Sequence, residues 1–325
     1  MRRGGTAIGR SSRALVALCA LTLGACALME PPVDPVLKPV ARPAERRPAP
    51  APIIVAQPTS QESAALRSYL NEVQRAQLSQ GLLRRDGGGT DAPFTSAMLA
   101  RNFEQIAFFN EYDGSFSGRG GASPMRRWES PVRMQIIFGA GVPPSQRARD
   151  SANIATYAAR LGRVTGHPVA VANNPNFVVI VASEDDRAAA LSEAVARVPG
   201  ISASSLEPLA RMRRDTYCVV AAYAAGSGAN VYTAAVAVIR AENPELLRLS
   251  CIHEELAQGM GLANDSPEAR PSIFNDDDEF ALLTRHDELL LKMLYDDRLR
   301  PGLSADEARP TVRAIASELL DTGPV

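Results

Sequence analysis

From Ser60 onward the apolar positions fall into a helical rhythm. Leu66, Leu70, Val73, Leu78 and Leu82 recur at three- and four-residue steps behind Ser60 and Ser63, so they share one stripe of a helix. Gly87-Gly88-Gly89 ends it. A second helix is predicted over 95–109, with Leu99, Phe103, Ile106 and Ala107 on one face, and a Gly/Ser loop over 114–122. Val132, Met134, Ile136 and Phe138 alternate as in a half-buried strand. A helix over 145–162 follows, then strands over 169–171 and 177–181 around an Asn-rich turn, then a helix over 185–198. Two apolar runs, 217–224 and 231–239, flank Gly226-Ser227-Gly228. Their near-continuous apolar character predicts central strands of a sheet covered on both faces. After Pro244 the pattern is helical over 245–262, 279–295 and 305–320. This order predicts a mixed α/β (α+β) fold: one domain over 61–325, with a twisted mixed sheet packed with helices and a helical C-terminal part.

The first 60 residues do not share this rhythm. Arg2, Arg3, Arg10 and Arg13 precede an apolar run, 14–23, too short to span a bilayer. That combination reads as a signal peptide over 1–25. The run ends Leu23-Gly24-Ala25-Cys26, which matches the lipobox of bacterial lipoproteins. Cys26 is therefore the expected lipidation site, with diacylglyceryl and palmitate chains. Ala27 favours the outer membrane of a Gram-negative cell, facing the periplasm. Residues 31–58 hold nine prolines. A segment of this kind cannot build a core and reads, with its neighbours over 26–60, as a semi-rigid tether.

Composition sharpens this. A 46% apolar share suffices for a sizeable core, and a formal net charge of −1 argues against a nucleic-acid partner. Loss of four arginines with the signal peptide would take the charge to −5. The charge is also polarised: residues 61–240 carry 19 basic and 15 acidic side chains, residues 241–325 carry 8 and 18. Acids cluster at Glu254-Glu255, Asp276-Asp277-Asp278-Glu279 and Asp296-Asp297. They read either as helix N-terminal acids and solvated faces or as a surface that binds cations or arginines.

The candidate chemistry lies in the run from Ser250 to Asp265. His253-Glu254 begins the zinc-peptidase pattern H-E-x-x-H, but Ala257 stands where the second histidine belongs. Shifted by one, Glu254, Glu255, Gln258, Gly261 and Asn264 fall on the longer pattern H-E-x-x-H-x-x-G-x-x-H. Glu255 then occupies the general-base position. Glu254, Gln258 and Asn264 replace the three ligands, and Gly261 takes the tight turn. Adjacent helix positions diverge by about 100°, so Glu254 and Glu255 do not face one another as a glycosidase pair. His253 reads as a satisfied helix residue, His286 as a surface residue, and Trp128 as an anchor at the core edge.

The chain resembles a proteobacterial lipoprotein family defined as a domain of unknown function. The likeness runs through Asn102-Phe103, Glu111-Tyr112, Arg127-Trp128, Pro131-Val132-Arg133, the Glu-Glu-x-x-Gln-x-x-Gly-Leu-x-Asn-Asp run and Ser272-Ile273-Phe274-Asn275-Asp276, roughly over 90–300. The resemblance implies a zincin-like fold, with Phe274 in the place of the Met-turn methionine.

Amides are poor zinc ligands, so no cofactor and no bound metal are expected. At most a weakly held hard divalent cation is expected, on Glu254, Gln258 and Asn264 with help from Asp265, Asp276 and Asp277. Cys218 and Cys251 remain after Cys19 and Cys26 are assigned, and in an oxidising compartment they are expected to pair. The sequence therefore points to a lipid-anchored, non-catalytic binding or scaffolding module. Its binding residues would be Glu254, Gln258, Asn264, Asp265, Asn275 and Asp276, and its partner an envelope protein or peptide. The alternative is a metal-dependent, peptidase-like hydrolase with Glu255 as its base.

Overall fold

The computed structural model describes residues 59–112, 120–225 and 229–321. The leader, Cys26, nearly all of the tether, most of the loop over 114–122 and the loop over 226–228 lie outside the described residues.

The chain runs α1 (Gln61–Ser79), α2 (Ser96–Ala107), β1 (Arg127–Trp128), β2 (Val132–Phe138), α3 (Pro144–Thr165), β3 (Val169–Val171), β4 (Phe177–Ala182) and α4 (Arg187–Arg197). It continues through α5 (Glu207–Ala210), β5 (Cys218–Ala224), β6 (Val231–Arg240), α6 (Glu245–Gln258), α7 (Arg285–Leu294) and α8 (Ala305–Asp321). This is the mixed α/β class the sequence predicts. Ser60 and Thr95 cap the first two helices through their side chains. Among the described residues no helix is long and apolar enough to cross a membrane.

Strands β3, β2, β4 and β6 lie side by side and parallel, and β1 pairs in parallel with the first residues of β6. Parallel neighbours need crossover connections, which α3 and α4 supply. Phe177, Val179, Val181, Ala235, Ala237 and Ile239 face a core shared with α3 and α6. Val178, Ile180, Ala182, Val236 and Val238 face a second core under α4. Strands β4 and β6 thus bury both faces, which explains their unbroken apolar runs.

One expectation is corrected here. The run over 217–224 is not a central strand: β5 is antiparallel to β6 and lies at the edge. Its apolar residues pack into the cores on both faces of the sheet, while among the described residues no strand pairs with its other flank. Two elements escaped the periodicity, β1 and α5, because two and four residues are too short to show a repeat.

Two helix boundaries also differ, for local reasons. Helix α6 stops at Gln258, where the chain turns through Gly259 to Gly261. Helix α7 begins at Arg285, not near 279, because Thr284 and Asp287 form a capping box. The Asp287 backbone amide donates to Thr284 Oγ1 at 3.2 Å, and the Thr284 amide donates to Asp287 Oδ2 at 2.9 Å.

The disulfide is present between Cys218 and Cys251, with Cα atoms 5.8 Å apart. It ties the first residue of the edge strand to α6. Trp128 is buried. Its indole N–H donates to the Gly259 carbonyl at 2.8 Å, and its ring lies nearly parallel to Phe177. Strand β1 and the end of α6 are thereby held together.

Candidate functional site

Helix α6 carries Glu254, Glu255 and Gln258 past the free edge of β5. Beyond it, Gly261 adopts a φ of +129°, and a Cβ there would run into the carbonyl oxygen of Arg126. Only glycine fits this close approach without strain. Gly261→Ala should lower the unfolding free energy by about 2 kcal/mol, the left-handed penalty plus the clash, read by denaturant titration. The turn sends the chain back so that Asp265 returns to α6, where the Gln258 amide donates to Asp265 Oδ1 at 3.2 Å. A hairpin through Asn110 and Gly121 adds Glu111 and Tyr112; the Glu111 backbone amide donates to the Ala263 carbonyl at 2.9 Å.

These pieces enclose a cavity of about 580 Å³. One wall is Glu254, Glu255, Gln258 and Asp265. The opposite wall is Cys218, Val219 and Val220 of β5 with the segment from Pro208 to Tyr217. Glu111, Tyr112, Asn275, Asp276 and Asp278 close the remaining side.

The electrostatics are one-sided. Burial pushes the Glu255 carboxyl well above its ordinary range, helped by the charges of Glu111 and Asp265. Glu254 is raised first by burial, then by Asp265 and Glu255. Asp265 is raised by burial, Glu111 and Asp276. Glu111 is raised by burial against the opposing effect of hydrogen bonds from Tyr112 and Gln258. Asp278 is pushed up to about 6 by burial and by Asp277. Like charges in one enclosed site cannot all ionise cheaply. Glu255 is 4% exposed, and its Oε2 has no hydrogen-bond partner among the described residues.

The structure brings Glu254, Glu255, Gln258, Asp265, Asn275 and Asp276 around this cavity. It does not bring Asn264, whose amide donates to the carbonyls of Gln105 and Asp265 at 2.9 and 2.8 Å. The third ligand position of the shifted pattern therefore points away, and its neighbour Asp265 takes the place by the cavity. A carboxylate oxygen each of Glu254 and Glu255 and the sulfur of Cys218 lie within 4.8 Å of one another. The divergence of adjacent helix positions does not separate the two oxygens, because glutamate's rotatable bonds let both side chains reach one point. The donors do not suit zinc. The Cys218 sulfur is locked in a disulfide, Gln258 offers an amide, and among the described residues lining the cavity there is no imidazole.

Both histidines near the motif are structural. His253 Nδ1 accepts the Leu283 backbone N–H at 3.0 Å, and its ring stacks on Tyr157. Burial and Arg160 lower its pKa to about 3, so it stays neutral. His286 is a correction: it is fully buried, not on the surface. It lies 3.1 Å from the Asn102 side-chain amide and edge-on to Phe94. Phe274, in the expected turn, is buried. The turn hangs on Asp287, which accepts from the Ser272 hydroxyl at 2.5 Å and the Ile273 amide at 3.1 Å.

Sequence reasoning did not single out Glu111 or Asp278 as site residues. Glu111 was visible only as half of the Glu111-Tyr112 pair before a glycine-rich loop, and Asp278 only as one of four successive acids.

Residues 96–314 match the family described as "Protein of unknown function (DUF2927)". The chain belongs to this family. The match takes in the cavity walls from Glu111 to Asp278 and the scaffold from α2 into α8. Comparison with curated proteins and comparison with solved structures returned no significant match.

Proposed function

We propose that this chain is a lipid-anchored envelope protein whose folded part is a binding or scaffolding module. In this reading Cys26 carries the lipid in the outer membrane, residues 26–60 hold the module off the surface, and the cavity faces the periplasm. The core is zincin-like, with a motif helix behind the cleft and a tight glycine turn after it, but without the zinc-ligand histidines. The observation that carries the reading is the donor set. Where that pattern has its second imidazole, the Gln258 amide donates to Asp265, and the third position is turned away. A cavity lined by several acids and bordered by the aromatic Tyr112 suits recognition of a cationic group on an envelope protein or peptide.

The test is made in cells and on purified protein. Cys26→Ala is expected to abolish palmitate labelling, and Glu255→Gln to impair complementation of a deletion strain. Protein prepared without chelator is expected to carry no stoichiometric zinc by elemental analysis. One zinc per chain would sink the non-catalytic reading. A second reading, a hydrolase with Glu255 as general base, is favoured by the raised Glu255 carboxyl, whose Oε2 has no partner among the described residues. It requires turnover of a peptide or cell-wall substrate that disappears in Glu255→Gln.

A further inference from the structure

We propose that the nest formed by Glu111, Glu254, Glu255 and Asp265 binds one hard divalent cation of the calcium type. This rests on the reading of the cavity as the recognition site and names a ligand for it.

Four acids alone would not make a site. The second observation is Glu255, nine-tenths buried, lining the cavity, with Oε2 unpartnered among the described residues. A buried acceptor left without a donor costs stability, and a cation would satisfy it. The described residues do not supply one there. Of the arginines by the cavity, Arg211 pairs with Glu207 and Arg213 with Asp215, and among the described residues no arginine or lysine bonds to the four carboxylates. The third observation is convergence from three separate stretches of chain. Gln258 links Asp265 to Glu111 through its amide, and oxygens of Glu254 and Glu255 lie within 4.8 Å of one another.

The donor chemistry sets the type of ion. All four side chains offer carboxylate oxygens, and Gln258 keeps its carbonyl oxygen as a further donor. Hard, oxygen-rich, irregular sets suit calcium, which takes six to eight oxygens over a range of geometries, with water completing the shell. Zinc prefers imidazole and thiolate, and magnesium demands a tighter octahedron.

Chelator-treated full-length protein should be titrated with calcium chloride by calorimetry, with magnesium and zinc chlorides in parallel. The expected result is one calcium per chain with a Kd on the order of 10⁻⁴ M or tighter, a rise in thermal midpoint, and magnesium at least about tenfold weaker. Combining Glu255→Gln with Asp265→Asn should weaken calcium binding at least about tenfold, while thermal melts in chelator show the variant folded. Terbium needs no variant: emission sensitised by aromatic side chains such as Tyr112, and displaced by calcium, supports the site. Absence of calcium uptake at millimolar concentration overturns the proposal, as does uptake that the paired substitutions leave unchanged. If no cation binds and Glu255→Gln still fails to complement, the cation inference falls and the binding-module reading stands.

Discussion

In chelator-containing buffer, the free energy of unfolding is expected to fall as the pH is raised from about 5 to about 8. The reason is the direction in which the cavity carboxyls are displaced. Glu254, Glu255 and Asp265 all have folded-state pKa values above those of an exposed side chain, first through burial and then through neighbouring carboxylates: Glu111 for Glu255 and Asp265, and Asp265 for Glu254. Asp276 and Asp278 face the same space, and the arginines that line it, Arg211 and Arg213, are paired with Glu207 and Asp215. A group with a raised folded pKa binds more protons in the native state than in the unfolded chain. Its contribution is fully present below the unfolded value and is lost as pH rises through the folded one. Each carboxyl that stays protonated when folded and ionises when unfolded removes about 1.4 kcal/mol per pH unit. Asp278 loses its contribution as pH rises from the ordinary aspartate range through about 6. The glutamates continue the decline above it. Glu255→Gln should flatten the slope by one group's share and raise the urea midpoint at about pH 8. Urea titrations at several pH values check this. A stability that stays level or climbs across the range would contradict carboxyls held protonated by burial.

Replacing Cys218 and Cys251 together with serine is expected to cost about 3–4 kcal/mol, from the loop-closure entropy of the unfolded chain. The two residues are 33 positions apart, and the unfolded loop regains its freedom once the bond is gone. The effect should exceed a simple loss of stability, because the bond joins the edge strand to the motif helix. Only hydrogen bonds to β6 hold β5 on one flank, and its other flank borders the cavity. Freed from α6, the wall carrying Cys218, Val219 and Val220 should move away from Glu254 and Glu255. Two measurements separate the outcomes. Denaturant titration reads the stability. Alkylation of denatured, unreduced protein should modify neither Cys218 nor Cys251, and two modified cysteines among them would show that the bond does not form.

Much of the architecture was legible because it is written in local pattern. The alternation of Val132, Met134, Ile136 and Phe138, the unbroken runs of β4 and β6, and the caps Ser60 and Thr95 act within a few residues. Edge and centre were not legible. Val219 and Ala221 are as apolar as their counterparts in β6, and only strand pairing decides that β5 has an open flank. The same limit applied to His286. Its neighbours Arg285 and Asp287 are charged, which suggests a surface. Yet Asp287 is spent on the turn over 272–284, so His286 packs against Phe94 and Asn102.

The site divides in the same way. The sequence by itself determined the helix that bears Glu254, Glu255 and Gln258, the glycine that must follow it, and the pair of cysteines available to bond, because helical spacing, a turn and cysteine number are properties of the chain read in order. Tertiary structure alone decided that Asp265 rather than Asn264 turns back to the cavity. It alone brought Glu111 from more than a hundred residues upstream. Whether a carboxylate is buried beside others depends on which segments meet in space. That meeting is set by the packing of α6 against the sheet edge and by a close approach to the Arg126 carbonyl at Gly261.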